Sequence, residues 1–401
     1  MEAEPNQQTE AAISPELERK LVTLRQITQI RRPYKLRFKR MEVVTINGGW
    51  NVVVNKSNSK VGDYVIFFEI DSFIPTTVID FGWELNSRLE EFNGERGYHV
   101  RSHMVGKQIS QGLLMAIEQL PKVHRIVDDL KDEHGVEEGL RVAQLMAFEN
   151  VLGVKKWESS TIRHHAQDHI LGPAPVFIRQ PGCPRIQDKP EIFTSIYPSC
   201  TYEITEKLDG VSMTVYRVQN DSQWDRALPA LPAGSSQRTL YGRIGIASRQ
   251  HDIGDTANSP FWRAAKDIGL PAKLAQVGVR NVAISGELIG PSLDSSIHFA
   301  PGERFQFIVF QVFDIDAQEL IDPDEVRNIC NRHVLPTFQH VPLIARCKLS
   351  EFATDIDELV RRADGVGFHG QRREGLVFKM LGRPEISFKV ISNQWLLEIE
   401  E

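Results

Sequence analysis

The chain has 401 residues and carries 47 Lys and Arg against 53 Asp and Glu, a net charge of −6, so it holds about two to three domains with real cores and is not a polycation. Any contact with nucleic acid therefore has to come from local patches. Cys183, Cys200, Cys330 and Cys347 show no paired spacing, which argues against zinc or a disulfide framework and suits a reducing compartment; no run is long and apolar enough to cross a membrane.

Met1 to Ser14 is acidic and Gln-rich, with neither a signal-peptide core nor the arginines of a transit peptide, and reads as a disordered tip of an intracellular protein, cytoplasmic or nuclear. From Leu21 to about Glu118 short strand patterns alternate with turn signals. The expected strands are Leu21 to Ile27, Tyr34 to Val44, Trp50 to Val54, Tyr64 to Ile70 and Tyr98 to Val105, with turns at Asn47-Gly48-Gly49 and Gly62-Asp63. Strands at this spacing predict a small β-barrel of the OB type within residues 15–150. Arg31 to Arg40 holds six bases and no acid. As a strand it lines Lys35, Arg37 and Lys39 on one face, either to track phosphates or as an ordinary solvated surface.

Asp128 to Glu138 is a charged stretch, and Val142 to Val151 has the pattern of a short helix. Residues 151–173 read as a polar connector. Within it His165 and His169 have the i, i+4 spacing of a helical metal pair, but neither they nor His164 have a clear further ligand nearby. Five prolines between Leu171 and Pro190 predict extended backbone and a hinge before a second domain at 174–401. There Gln219 to Gln237 reads as a mobile hairpin insertion. Helices are predicted to start at Asn258-Ser259-Pro260 and Asp322-Pro323, where Pro occupies a first-turn position whose N–H is unpaired anyway, and a third covers Ile356 to Arg362. Strands with interspersed helices make this an α+β domain of antiparallel sheets with flanking helices.

The chemistry centres on Glu206-Lys207-Leu208-Asp209-Gly210, which reads as two strands meeting at Gly210. Lys207 and Asp209, at i and i+2, point into one space. A nucleophilic lysine needs its charge disfavoured, and a nearby metal ion would do that. Downstream come Ile284-Ser285-Gly286-Glu287-Leu288, Phe310 to Ile315, Glu374-Gly375-Leu376-Val377-Phe378-Lys379 and Ser387-Phe388-Lys389-Val390. Asp209, Glu287 and Glu374 each adjoin a glycine at or beside a strand, so that they can converge on one hydrated Mg²⁺. Lys389 adds a positive charge for a phosphate, Phe310 a ring face for a base, and Arg249 a planar fork for phosphate.

In this order the segments resemble the nucleotidyltransferase (adenylyltransferase) motifs of covalent ATP-dependent ligases and capping enzymes. With Gly106 to Leu113 in the front module and Ser387 to Asn393 at the end, the whole is similar to ATP-dependent RNA ligases that carry an N-terminal OB domain. Only twelve residues follow Lys389, which leaves no room for a C-terminal OB module. The resemblance implies ATP as co-substrate, a covalent AMP on Lys207, Mg²⁺ or Mn²⁺ held through bound waters by Asp209, Glu287 and Glu374, base stacking on Phe310 and an α-phosphate contact from Lys389. Gly210, Arg249, Lys379, Arg185 and Gln187 follow as further nucleotide contacts. It implies sealing of 3′-OH/5′-phosphate breaks, favouring nicked duplexes with RNA on the 3′-OH side, as in RNA repair, by a protein expected to be a monomer with no membrane partner. Ser387 departs from the lysine that many RNA ligases have there. A capping-type guanylyltransferase and an inert nucleotidyltransferase fold that only binds nucleic acid are the alternatives.

Overall fold

The computed structural model describes residues 19–32, 40–78, 89–157, 170–256, 259–274, 281–290, 304–332 and 338–399. The basic run at 33–39 and the histidines at 164, 165 and 169 lie outside them.

The front of the chain is built on a five-stranded antiparallel sheet. Its central strand, Val22–Arg31, pairs on one side with Met41–Ile46 and on the other with Tyr64–Phe68; Asn51–Asn55 and Leu113–Met115 close the edges. Alternation decides the two faces. Val22, Leu24, Ile66 and Phe68 face a core shared with Val123, Val127, Ala143 and Phe148, whereas Ile27, Val65 and Phe67 face the other way with Trp50. The Asn47-Gly48-Gly49 turn joins two strands as expected, with φ of 93° and 83° at its glycines, a region open to glycine at little cost. A second sheet orders Lys155–Lys156, Ser72–Pro75, Glu95–His99 and Leu89–Phe92.

Some boundaries differ from the sequence reading. The expected strand from Tyr98 to Val105 is divided: Glu95–His99 belongs to the second sheet, while Ser102–Val105 pairs with Gln108–Gln111. The expected helix from Val142 to Val151 is replaced by helices Val136–Leu145 and Glu149–Leu152, and the charged stretch before it lies mostly in a helix, Pro121–His134. Pro121 starts that helix and Val123 and Val127 bury one stripe, so the charges are simply its solvent face. Gln219 to Gln237 is not a loose insertion. It contains a helical turn, Gln223–Arg226, and buries Asp225, Leu228 and Gln237, with Arg243 donating to the Pro229 carbonyl at 2.6 Å.

The second half holds two further antiparallel-rich sheets. One is nine-stranded, running from Ile170–Pro173 through His251–Ile253, Gly242–Ala247, Val211–Val218, Val282–Ile289 and Gln306–Asp314 to Glu319–Leu320. The other is four-stranded, in the order Leu343–Lys348, Thr201–Lys207, Gly375–Met380, Arg383–Ile391. The helices Pro260–Ile268, Pro323–Arg332 and Ile356–Ala363 begin where the sequence places them; the Ser259 hydroxyl accepts the Trp262 N–H and Asp355 accepts the Glu358 N–H. Tyr202, Ile204, Phe378 and Phe388 on one face of the four-stranded sheet pack on Leu349, Leu359 and Ala363, with the Phe378 and Phe388 rings stacked at 4.6 Å.

The two halves share a core. Ile391 and Leu396, after the last strand, are buried in the same cluster as Ile27, Trp50 and Phe67 of the front sheet, and Trp395 packs against it. Among the described residues no helix is long and apolar enough to cross a membrane.

Candidate active site

Thr201–Lys207 and Val211–Val218 meet at Leu208-Asp209-Gly210, as the sequence suggests, but they do not pair with each other. The first belongs to the four-stranded sheet and the second to the nine-stranded one, so the motif is the crossing between two sheets. Leu208 pins the crossing by burial with Ile289, Ile308 and Val341. Gly210 has no room for a side chain, since a Cβ there would stand 2.8 Å from the Leu288 carbonyl oxygen and 2.9 Å from Glu287 Cγ. That close approach brings Glu287 to the crossing from the large sheet.

Glu374 arrives from the small sheet. Registry sets Lys207 opposite Gly375, and the Lys207 Nζ donates to Glu374 Oε2 at 2.6 Å. Burial pushes the Lys207 ammonium toward losing its proton, but Glu374, Glu287 and Asp209 together outweigh it and hold the pKa above the ordinary value. Without ligand the nucleophile candidate is thus charged, the reverse of what its proposed chemistry needs.

The carboxylates answer in kind. Burial pushes Glu287 up to about 7, with Lys207 opposing and Glu374 and Asp209 adding to the rise. Burial likewise raises Glu374 against the pull of Lys207. Arg249 is exposed yet near enough to act on Glu287. Among the described residues no three His, Cys, Asp or Glu side chains come close enough to enclose a bare metal ion. Three mutually repelling oxygen donors around one ammonium fit instead a hard cation held through its own waters.

A cationic face lies alongside. Because residues two apart on a strand share a face, Lys379, opposite Ser387, and Lys389, opposite Val377, stand on the same side of the small sheet as Lys207. Burial lowers Lys389 to about 7, helped by Arg185, Lys207 and Arg19, and lowers Lys379 to about 8. Lys379 donates to the Phe310 carbonyl oxygen, and its Nζ lies 5.6 Å from the centre of the Phe310 ring. The nearby Cys183 thiol is raised by burial, against the charge of Lys389 and the influence of Ser387. No sequence signal singled out Cys183.

Arg185 and Gln187 face elsewhere. Arg185 is buried against the front half, with Nε 3.0 Å from Glu69 and Nη2 3.5 Å from Asp71. It still bears on the site, because it bridges to Lys389, whose N–H donates to the Pro184 carbonyl at 2.8 Å. Gln187 is buried where the Gly48 turn docks. At the far end of the small sheet Glu203 accepts from Arg327 at 2.8 Å and Arg346 at 2.6 Å, a cluster that segments distant in sequence assemble and that no local pattern announces.

Comparison with known proteins follows the same division. A family model for RNA ligase matches residues 201–391, and one for an OB-fold domain matches residues 21–117. No curated protein matches. Among solved structures, a mutant of Naegleria gruberi RNA ligase with ATP and Mn is 26% identical with a TM-score of 0.74, covering 96% of this chain and 100% of that one. The same enzyme with PPi is 28% identical, TM-score 0.72, covering 94% and 98%. Another mutant, with AMP and Mn, is 27% identical, TM-score 0.73, covering 94% and 98%.

Proposed function

Because the chain belongs to the ATP-dependent RNA ligases with an N-terminal OB-fold domain, we propose that it seals 3′-OH/5′-phosphate breaks through an AMP carried on Lys207. The observation that carries this reading is the Lys207–Glu374 contact of 2.6 Å, with the charges of Glu287 and Asp209 bearing on Lys207 and with Lys379 and Lys389 on the same face of the sheet.

Lys207 Nζ forms a bond to the α-phosphorus of ATP as the bond to the pyrophosphate oxygen breaks, after the ammonium gives up its proton. Glu374 is at hand to receive it, and its own raised affinity for a proton suits that task. Asp209, Glu287 and Glu374 would hold hydrated Mg²⁺ or Mn²⁺ through its waters, and such an ion supplies the positive charge that loosens the ammonium proton and offsets charge on phosphate. Lys389 stabilises the α-phosphate and Phe310 stacks on the adenine, with Lys379 fixing that ring from behind its carbonyl. Gly210 keeps the crossing narrow and Arg249 contacts phosphate at the exposed rim; Arg185 and Gln187 act from the junction of the halves. AMP then passes to a 5′-phosphate, and the adjoining 3′-OH displaces it, so a poor leaving group is exchanged for a good one.

We place the catalytic unit at 174–401 and the OB-containing unit at 15–150, joined by 151–173, in a monomer working inside the cell on RNA or RNA-containing nicked duplexes. Incubation with labelled ATP is the test: one AMP on Lys207, lost in Lys207→Ala together with sealing, supports the reading. Labelling by GTP alone would favour a capping-type enzyme, and binding of nicked duplexes with no adduct would favour an inert fold. Nicks with RNA or DNA on the 3′-OH side decide the strand preference.

A further inference from the structure

The segment between Asp364 and Glu374 has no part in the chemistry above, yet it rims the cleft of the nucleophile. Gly367, His369 and Arg372 line that cleft with Lys207, Asp209 and Glu374. Phe368, between Gly367 and His369 but not itself part of that lining, is 50% exposed, and Val366, just before them, is 73% exposed. A single exposed ring is ordinary on a protein surface. What is not ordinary is how firmly its backbone is held.

Glu206, the residue before Lys207, projects from the opposite face of the strand and accepts the Phe368 N–H at 3.0 and 2.9 Å with its two carboxylate oxygens. Arg373 clamps the start of the segment by donating to the carbonyls of Ala363 at 2.8 Å, Arg362 at 2.6 Å and Asp364 at 2.9 Å. Arg372 donates to Glu398 at 2.7 Å and also reaches Gln394. The main chain is therefore tied to the nucleophile strand while the ring stays outside, with the edge-on His369 ring at 4.9 Å as its neighbour. A backbone tied down next to residues that share a lining with Lys207, Asp209 and Glu374, and carrying an exposed aromatic side chain, is a pre-organised stacking surface.

We propose that Phe368 is the platform on which the terminal base at the RNA break stacks. This rests on the ligase reading. The terminal nucleotide has to bring its phosphate or its hydroxyl to the adenylate on Lys207, so its base lies within one nucleotide of that atom, and Gly367 and His369, on either side of Phe368, share a lining with Lys207. Stacking accepts every base, so the contact positions the end without selecting a sequence.

The test compares wild type, Phe368→Ala and Phe368→Tyr in two assays: self-adenylylation with ATP, and sealing of nicks whose 5′-phosphate or 3′-OH end nucleotide is either intact or abasic. Phe368→Ala should adenylylate itself as wild type does, because the anchor is the backbone N–H and the side chain is outside. It should seal intact nicks about 10-fold more slowly, and Phe368→Tyr should restore the rate. Wild type should lose a similar factor when the stacked end is abasic, and Phe368→Ala should then lose nothing further; the end showing this names the strand. Equal sealing by wild type and Phe368→Ala, a loss of the same size on abasic ends, or a parallel loss of self-adenylylation would overturn the proposal. If wild type forms no adduct on Lys207, the ligase reading fails first and takes this one with it.

Discussion

Lys207 and Glu374 meet at 2.6 Å across adjacent antiparallel strands, the lysine closing one and the glutamate standing just ahead of the other. Their contact keeps the amine protonated until charge is brought in. Glu374→Gln removes the pull on the ammonium and, with it, a proton acceptor and a carboxylate of the acidic ring. Loss of preorganised charge of this kind costs about 100-fold or more in rate, so initial rates of AMP transfer to Lys207 should fall at least that far while the melting temperature holds.

Glu287 carries a stability cost. Its pKa in the folded protein is about 7 against an ordinary 4.5, so the fold holds its proton more tightly than the unfolded chain does. The sign follows: Glu287 favours the fold at low pH, and that contribution is lost as pH rises from about 4.5 through 7. Glu287→Gln should match wild type near pH 5 and melt a few degrees higher at pH 8, at the expense of adenylylation. Thermal melts at the two pH values check it, and an unchanged difference between them would contradict it.

Lys389 sets the alkaline side. Burial lowers it to about 7, so the charge proposed to meet phosphate fades above neutrality, while Glu287 ionises over the same range. The kcat/KM for adduct formation should therefore be bell-shaped and narrow around pH 7. Lys389→Arg, which keeps its charge, should flatten the alkaline limb at reduced peak rate.

The shared core makes the halves melt together. Trp50, fully buried, packs in one cluster with Leu396 from the end of the chain, so Trp50→Ala should cost about 3–5 kcal/mol. Calorimetry should show one transition that moves as a whole. Removing residues 1–150 would bare Ile391 and Leu396 and should give an insoluble product rather than an isolated catalytic unit.

The residues of the proposed site were legible where chemistry is written locally. Lys207 and Asp209 stand two apart, and Glu287 and Glu374 each adjoin a glycine; the strands that follow from those patterns do bring them together. The helix starts at Pro260 and Pro323 were legible because proline fits a first-turn position whose N–H is unpaired anyway, a rule of nearest neighbours. What was not legible depends on which strand lies beside which. Registry alone sets Ser387 across from Lys379, turns Arg185 toward Glu69, and lays Glu206 under the Phe368 segment. The Pro121–His134 helix was hidden for another reason: its buried stripe is narrow and its charges dominate the sequence.

Transfer of AMP from ATP to Lys207 is the step on which the proposed function rests. Incubation of the protein with ATP and Mg²⁺, followed by peptide mass spectrometry, tests it most directly. One AMP is expected, on the peptide containing Lys207, released when a 5′-phosphorylated nick is added. An adduct on another lysine, or none in a folded protein, would contradict it.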